Sequence, residues 1–219
     1  LTVTALPEPL PRDKDGTPHD YGFNYASVVG MLMYLCNNSK PDLAFSVHQC
    51  ARHCFNPTRK HAEYLKRIGR YLIKTREKGL IICPHCGENI LDIECFVDAD
   101  FAGLFNHENN NNPHCVKSRT GYVIMMGGSP IVWSSKLQPV IASSTMESEY
   151  IALSTACKDL IPLRNVVREI ATACGVTQEE QKEMVVPFGI HAALNHLQPY
   201  LGSQIIRCVH MECVLEGQG

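Results

Sequence analysis

Ile93-Glu94-Cys95-Phe96-Val97-Asp98-Ala99-Asp100 is the stretch on which the fold turns. Its β-branched and aromatic content over Ile93–Val97 predicts a strand, with Asp98-Ala99-Asp100 at the point where it leaves the core. Working outward toward the C-terminus, Thr120–Met126 and Ile131–Ser135 read as two more strands. Gly127-Gly128-Ser129-Pro130 separates them, a turn with a breaker at every position. Ser144-Thr145-Met146-Glu147 matches a capping box and predicts a helix start. That helix carries Leu153, Ala156, Cys157 and Leu160 until Pro162, which should interrupt it. A further helix is expected over Leu163–Cys174, closing on Gly175, then a strand at Val185–Phe188 and a small helix at Ala192–Leu197. The order predicts a mixed α/β domain built on an antiparallel hairpin sheet.

Toward the N-terminus the pattern becomes helical. Gly79-Leu80-Ile81-Ile82 reads as a short apolar strand. Before it, Pro57-Thr58 opens a helix with the stripe Tyr64, Leu65, Ile68, Tyr71 and Leu72. Ser39-Lys40-Pro41-Asp42 looks like the start of another, with a capping hydroxyl, an early proline and an acid. A first apolar helix is expected from Asn24 to Cys36. Residues 1–23, with four prolines, read as an extended lead-in. The expected organisation is therefore lead-in (1–23), helical module (24–82), linker (83–92) and α/β domain (93–219). The asparagine-rich run at Asn106 and Asn109–Asn112 is expected to be a loop.

The 219 residues are 45% apolar and 19% charged, which excludes a wholly disordered chain. The longest near-apolar run, Tyr25–Cys36, is too short to cross a bilayer, and no leader pattern precedes it. Eleven cysteines, an odd number scattered through the expected elements, point to a reduced intracellular protein that uses them as small hydrophobes. Only Cys83-Pro84-His85-Cys86 has metal-ligand spacing, and no second pair follows to complete a zinc site.

A net charge of −2 names no partner by itself. Its distribution does more. From Arg59 to Lys78 eight basic residues face only Glu63 and Glu77, and Arg67, Arg70 and Lys74 recur at helical spacing. Such a ridge is either a solvated helix face or a track for a phosphate backbone.

Two acidic clusters carry candidate chemistry. Taken alone, Asp98 and Asp100 fit a strand-to-loop turn, for which aspartate is common, better than a cation site, although neighbouring carboxylates repel unless a cation lies between them. Glu147-Ser148-Glu149 fits helix capping and the helix dipole, but Glu149 lies two residues past the cap partner and points to another face. A strand-end aspartate with a helix-start glutamate can hold a divalent ion for phosphoryl hydrolysis.

Several motifs then resemble one family in order. Tyr25–Leu35, Lys40-Pro41-Asp42-Leu43-Ala44 and His61 through Leu72 resemble the segment after the polymerase palm in copia-type retrotransposon polyproteins. Phe96–Gly103, Ser118–Val123 and Pro130–Val140 are similar to their ribonuclease H domain, and Ala142-Ser143-Ser144-Thr145-Met146-Glu147-Ser148-Glu149-Tyr150-Ile151-Ala152-Leu153 is the most specific match. The resemblance covers roughly residues 24–169. It implies an α/β, ribonuclease H-like mixed sheet with flanking helices, preceded by a small helical module of the reverse transcriptase. The implied partners are an RNA–DNA hybrid and the rest of the polyprotein, without a membrane. The implied setting is the cytoplasm, or a virus-like particle if the element is active.

The resemblance further implies cleavage of the RNA strand with two Mg2+ ions, for which Mn2+ can substitute. Asp98 and Glu149 match the first two metal-binding acids. The third acid falls where this chain has Gly189, and the fourth is best matched by Glu212 in Val209-His210-Met211-Glu212. Glycine supplies no ligand, so the nuclease is expected to be impaired unless Asp159, Glu169 or Glu183 serves instead. The competing expectation is a non-catalytic remnant that binds duplex through Arg67, Arg70 and Lys74. An integrase or transposase fits less well, because those resemble a different order of acids. Nothing here resembles the paired aspartates of a polymerase palm.

Overall fold

Asn24 begins the first helix, α1 (Tyr25–Asn38), by accepting the Ser27 N–H on its side chain at 3.0 Å. The computed structural model describes residues 10–80, 82, 93–105, 113–176 and 190–192. It divides into two units: residues 1–80 with 102–117 and 210–219, and residues 81–101 with 118–209.

In the first unit, α1 buries Tyr25, Val29, Leu32 and Cys36, one stripe at helical spacing. Ser39 does not cap a second helix as its neighbours suggest. It closes α1, its N–H donating to the Leu35 carbonyl at 2.9 Å. A 3-10 turn (Pro41–Leu43) follows, because proline cannot donate and the chain enters α2 (Ala44–Ala51) only after it. Asp42 is not a solvated first-turn acid either. It is buried, and one oxygen accepts the Tyr71 hydroxyl at 2.6 Å.

The third helix, α3 (Arg59–Lys74), lays Ala62, Leu65, Ile68 and Tyr71 into the same core as α1 and α2. At its start the Thr58 N–H donates to His61 Nδ1 at 3.1 Å. At its end the Lys40 ammonium donates to the Thr75 carbonyl at 3.0 Å, a cation on the negative end of the dipole.

The part of the lead-in that is described wraps these helices. Leu10 is fully buried in their core, and its N–H donates to Gln49 Oε1 at 3.4 Å. The Leu10 and Pro11 carbonyls are held at 3.2 Å by the Nε2 atoms of His53 and His61, whose rings stack 3.9 Å apart. Gly79, Leu80 and Ile82 form no strand; Ile82 is exposed, and none of the three has a ladder partner among the described residues. Ile81, the linker cysteines Cys83 and Cys86 and the asparagine run lie outside those residues.

The second unit is a four-stranded sheet in the order β3-β2-β1-β4. Strand β1 (Ile93–Asp100) runs antiparallel to β2 (Arg119–Met126), which pairs with β3 (Ser129–Leu137); β4 (Ile190–Ala192) lies parallel to β1. Asp98 and Asp100 therefore sit inside β1, paired with Gly121 and Arg119, rather than beyond its end. The hairpin turn is shorter than its breakers suggest. Only Gly127 (φ 54°) and Gly128 (φ 76°) turn, the two left-handed residues a tight hairpin needs. Pro130 is accommodated in β3 by a register shift: Met125 pairs with Pro130 and Ile124 with Val132, leaving Ile131 as the extra residue of a bulge.

One long helix, α4 (Thr145–Ala173), crosses the sheet. Pro162 does not end it. That position is exposed, so water can take the carbonyl left without its helical donor, while Leu160 and Leu163 pack on the sheet core to either side. Ala152, Ala156 and Leu160 meet Cys95, Val97, Tyr122 and Ile124. Small residues one turn apart let helix and strands approach closely. The end is a Schellman motif: the Val176 N–H donates to Ala171 and that of Gly175 (φ 84°) to Thr172, both at 3.0 Å. Ala192 belongs to β4 rather than to a helix; the other residues of the expected Val185–Phe188 strand and Ala192–Leu197 helix are outside the described set.

Candidate functional site

Strand alternation fixes which way Asp98 points. Cys95 and Val97 enter the core under α4, and Ala99 packs against it, so Phe96, Asp98 and Asp100 share the opposite face. Asp98 is half-buried there. Burial pushes its carboxyl above the usual aspartate range, with the Ala99 N–H pulling the other way. Its cross-strand partner Gly121 brings no side chain.

Glu149 stands in the first turns of α4. Ser148, Ala152, Ala156 and Leu160 form the buried stripe of that helix, and Glu149, one residue on, flanks it half-buried. Ser144 accepts the Glu147 N–H at 3.1 Å, and the Glu147 carboxylate reaches back to the Ser143 N–H at 2.6 Å. The capping role read for Glu147 is therefore the observed one, displaced by one residue in its return bond.

The start of α4 is fastened to the sheet by a residue that the sequence reading passed over. Gln138 is buried; its side-chain amide donates to the Ser148 carbonyl at 2.8 Å and to Thr120 Oγ1 at 3.1 Å, and its N–H donates to the Ser118 carbonyl at 2.9 Å. Thr120 pairs with Ala99. Gln138 thus sets the helix turn that bears Glu149 level with the strand residue next to Asp98. Its only sequence signal is its place beside Pro139 in the Pro130–Val140 motif.

The two acids are matched in level but not in face. Side chains on opposite faces can meet only around the outer edge of β1, which pairs with β4 at residues 95–97 and with no described strand from Asp98 to Asp100. Asp159 and Glu169 do not complete the set. Asp159 accepts the Tyr122 hydroxyl, and burial together with that contact pushes the Tyr122 hydroxyl up to about 12. Asp159 lies ten residues along α4 from Glu149, about 15 Å, and Glu169 twenty residues, about 30 Å. Gly189, Glu183 and Glu212 lie outside the described residues. Among the described residues no three His, Cys, Asp or Glu side chains group to hold a metal ion. The Asp98 carboxylate is the hard oxygen donor that Mg2+ and Mn2+ take, but among the described residues it belongs to no group of three such donors. A second ion and the carboxylate that two ions share are not provided by these residues.

The basic ridge lies in the first unit. Arg70 and Lys74 are exposed and Arg67 is partly buried, all on the side of α3 away from its buried stripe. Two neighbouring cations are committed to the lead-in. Arg59 grips Asp20, with its Nε at 2.9 Å, and the Lys66 ammonium lies 3.2 Å from the centre of the Tyr21 ring. No described helix is long and apolar enough to cross a membrane.

The chain is 37% identical over 162 residues to a retrovirus-related Pol polyprotein from transposon TNT 1-94 of Nicotiana tabacum, a match that covers 74% of this chain and 11% of the polyprotein. It is 29% identical over 170 residues to the corresponding polyprotein from transposon RE1 of Arabidopsis thaliana, covering 78% and 11%. It is also 33% identical over 137 residues to secreted RxLR effector protein 161 of Plasmopara viticola, covering 63% of this chain and 89% of that protein. No family model and no solved structure matches the chain. It spans about a tenth of the length of the transposon polyproteins. Over about three quarters of its own length the chain is similar to one segment of retrovirus-related Pol polyproteins from transposons, which supports a fragment of such a polyprotein.

Proposed function

We propose that the sheet unit is a ribonuclease H-like domain of a copia-type retrotransposon polyprotein whose hydrolysis of the RNA strand of RNA–DNA hybrids is impaired. The helical unit before it is the connecting region of the reverse transcriptase. The observation that carries this reading is the setting of Asp98. A carboxyl that burial drives toward its neutral form is held on a central strand, level with the helix turn that bears Glu149. Such a placement costs stability, and groups held this way gather at working sites. Impairment follows from the ligand set, since among the described residues no three acids group together, Asp98 and Glu149 lie on different faces, and position 189 is glycine.

A bound Mg2+ ion supplies charge neutralisation and water activation in hydrolysis of this kind. Asp98 provides the carboxylate that would hold it, Glu149 stands nearest in level, and Gln138 fixes the helix turn. Glu212, matched to the outer ligand by sequence, remains part of the proposal. The test is cleavage of a labelled RNA–DNA hybrid by the whole chain in Mg2+ and in Mn2+. Weak turnover, stronger in Mn2+ and abolished by Asp98→Asn, is expected; efficient Mg2+ turnover that Asp98→Asn leaves intact would refute the site.

A second reading, duplex binding without cleavage, is favoured by the ridge of Arg67, Arg70 and Lys74 on the outer side of α3. Replacing all three with alanine should flatten the dependence of log affinity on log salt by roughly 2–3 units. An unchanged slope reduces the ridge to a solvated face.

A further inference from the structure

Two buried histidines of the helical unit serve one short piece of chain. His53, just past the end of α2, and His61, in the first turn of α3, stack 3.9 Å apart with their planes 11° off parallel. Their Nε2 atoms hold the consecutive carbonyls of Leu10 and Pro11 at 3.2 Å. A carbonyl only accepts, so both Nε2 atoms carry a proton. The Thr58 N–H donates to His61 Nδ1 at 3.1 Å, so that nitrogen carries none. His61 is therefore fixed as neutral by its partners. A second proton has one place to go, the nitrogen that caps α3.

A proton on His61 sets N–H against N–H and takes away the acceptor for Thr58. A proton on His53 places a cation against the stacked ring. The charges that face the pair are Arg12 and Asp13 on the lead-in, Arg52 beside α2 and Lys60 on α3. Three of these four oppose a cation, and the Asp13 carboxylate, which favours one, already accepts from Thr58 Oγ1 at 2.9 Å. Burial opposes it as well. Lifting residues 10–13 away brings water to the rings and relieves every one of these costs. Residues 17–20 are held without either ring. The Arg59 N–H donates to the Thr17 carbonyl and the His19 N–H to the Pro57 carbonyl, both at 3.0 Å, and Arg59 grips Asp20. Between the two stretches lies a turn, closed by the Gly16 N–H on the Asp13 carbonyl at 3.4 Å.

We propose that the stacked pair is an acid-operated clasp: neutral, it holds residues 10–13 of the lead-in on the helical core, and once protonated it lets them go while α1, α2 and α3 stay packed. Leu10 is the moving part. The other buried members of that core, from Tyr25 to Tyr71, lie on the three helices and the 3-10 turn, so they keep one another when Leu10 leaves. Its withdrawal uncovers an apolar place among them.

The experiment uses the whole chain and follows hydrogen exchange of single amides by nuclear magnetic resonance from pH 7 to pH 5, each rate divided by that of an unstructured peptide at the same pH. The Leu10 amide, which donates to Gln49 Oε1, and the Thr58 amide report the clasp; the Leu65 amide, in the middle of α3, reports the helices. With His53 at about 4 when docked and 6.5 when free, its proton alone favours release roughly twentyfold more at pH 5 than at pH 7. Protection of Leu10 and Thr58 should fall at least tenfold, and that of Leu65 less than twofold. Replacing both rings, His53→Gln with His61→Gln, keeps an Nε2 donor at each position and removes both titrations, so Leu10 protection should stay level over the same range. Should that variant not fold, His53→Gln alone is compared with the parent and should show a smaller fall. Equal losses at Leu10 and Leu65 in the parent would overturn the proposal, because acid would then be unfolding the helices as a whole. Unchanged Leu10 protection in the parent, or a parent-like fall in a folded glutamine variant, would overturn it too.

Discussion

Both units join their elements through buried polar side chains, His53 and His61 in the helices and Gln138 in the sheet, and they differ at Asp98. In the helical unit, buried polar side chains are spent on holding the chain together. Gln49, His53 and His61 fasten residues 10–11 to the helices, and Asp42 accepts from Tyr71, although its other oxygen finds no partner among the described residues. In the sheet unit Asp98 is held where burial opposes its charge, and the position opposite it is left empty. Polar groups that are mated explain a fold. Polar groups that are kept at a cost point to what the fold is for.

The sharpest way to break this comparison is to test whether the units melt apart. Ile68 in the helical core and Ile124 in the sheet core are each about fully buried, and truncating either to alanine should cost roughly 2–5 kcal/mol. Trp133, the single tryptophan, lies on β3 and reports the sheet unit. Ile124→Ala should lower the fluorescence melting transition, whereas Ile68→Ala should lower the far-ultraviolet circular dichroism transition and leave Trp133 nearly unmoved. Equal shifts of both signals by both variants would mean one cooperative body.

Acid should act next, and on the helical unit. Burial, then the adjacent His61 ring, push His53 down from 6.5 to about 4, and burial lowers His61 as well. Arg12, Arg52 and Lys60 nearby also oppose charging, and the Asp13 carboxylate favours it at His61. Below pH 6.5 the unfolded chain binds the proton first, so stability rises with pH across this window. It is fully present above about 6.5 and lost as pH falls toward 4. For His53 that amounts to on the order of 2–3 kcal/mol. His53→Phe keeps a ring against His61 and removes a titrating group; unfolding titrations from pH 7 to 4 should show a shallower acid loss. A slope identical to the parent's would leave the burial of His53 without thermodynamic weight.

Asp98 gives the smallest effect, with the opposite sign. Its raised folded pKa means that the native state binds the proton more tightly than the unfolded one, so this group contributes less stability as pH climbs through the interval above 3.8. Asp98→Asn should therefore stabilise the sheet unit slightly at neutral pH, by no more than the ~1 kcal/mol of a single hydrogen bond. Destabilisation would mean that the carboxylate is a structural group, and the contrast between the units would fail.

Much of this architecture is legible in the residues, and the misses share a cause. The hairpin, the capping box at Ser144 and the stripe on α3 are local patterns, and local patterns survive. Pro162 breaks a helix by local rule, yet α4 continues through it because Leu160 and Leu163 are held by the sheet. Ser39 and Asp42 are good capping residues, but one closes the preceding helix and the other is claimed by Tyr71, twenty-nine residues away. At the candidate site the two acids could be named, but their faces could not. Whether Asp98 ends a strand or lies within it depends on β2 supplying partners as far as Arg119, which no property of Asp98 announces. Gln138 escaped for the same reason, its two bonds joining elements far apart in sequence.

The central claim is that the site is short of one acid, and position 189 is where it can be restored. The measurement is the rate of hybrid cleavage in Mg2+ by the parent chain and by Gly189→Asp, at matched circular dichroism. Losing one charged ligand from a two-metal site is commonly worth several kcal/mol, on the order of a thousandfold in rate. The account predicts negligible turnover by the parent and a gain of orders of magnitude in Gly189→Asp that disappears when Asp98→Asn is added. Efficient Mg2+-dependent cleavage by the parent, with no gain from Gly189→Asp, would contradict it.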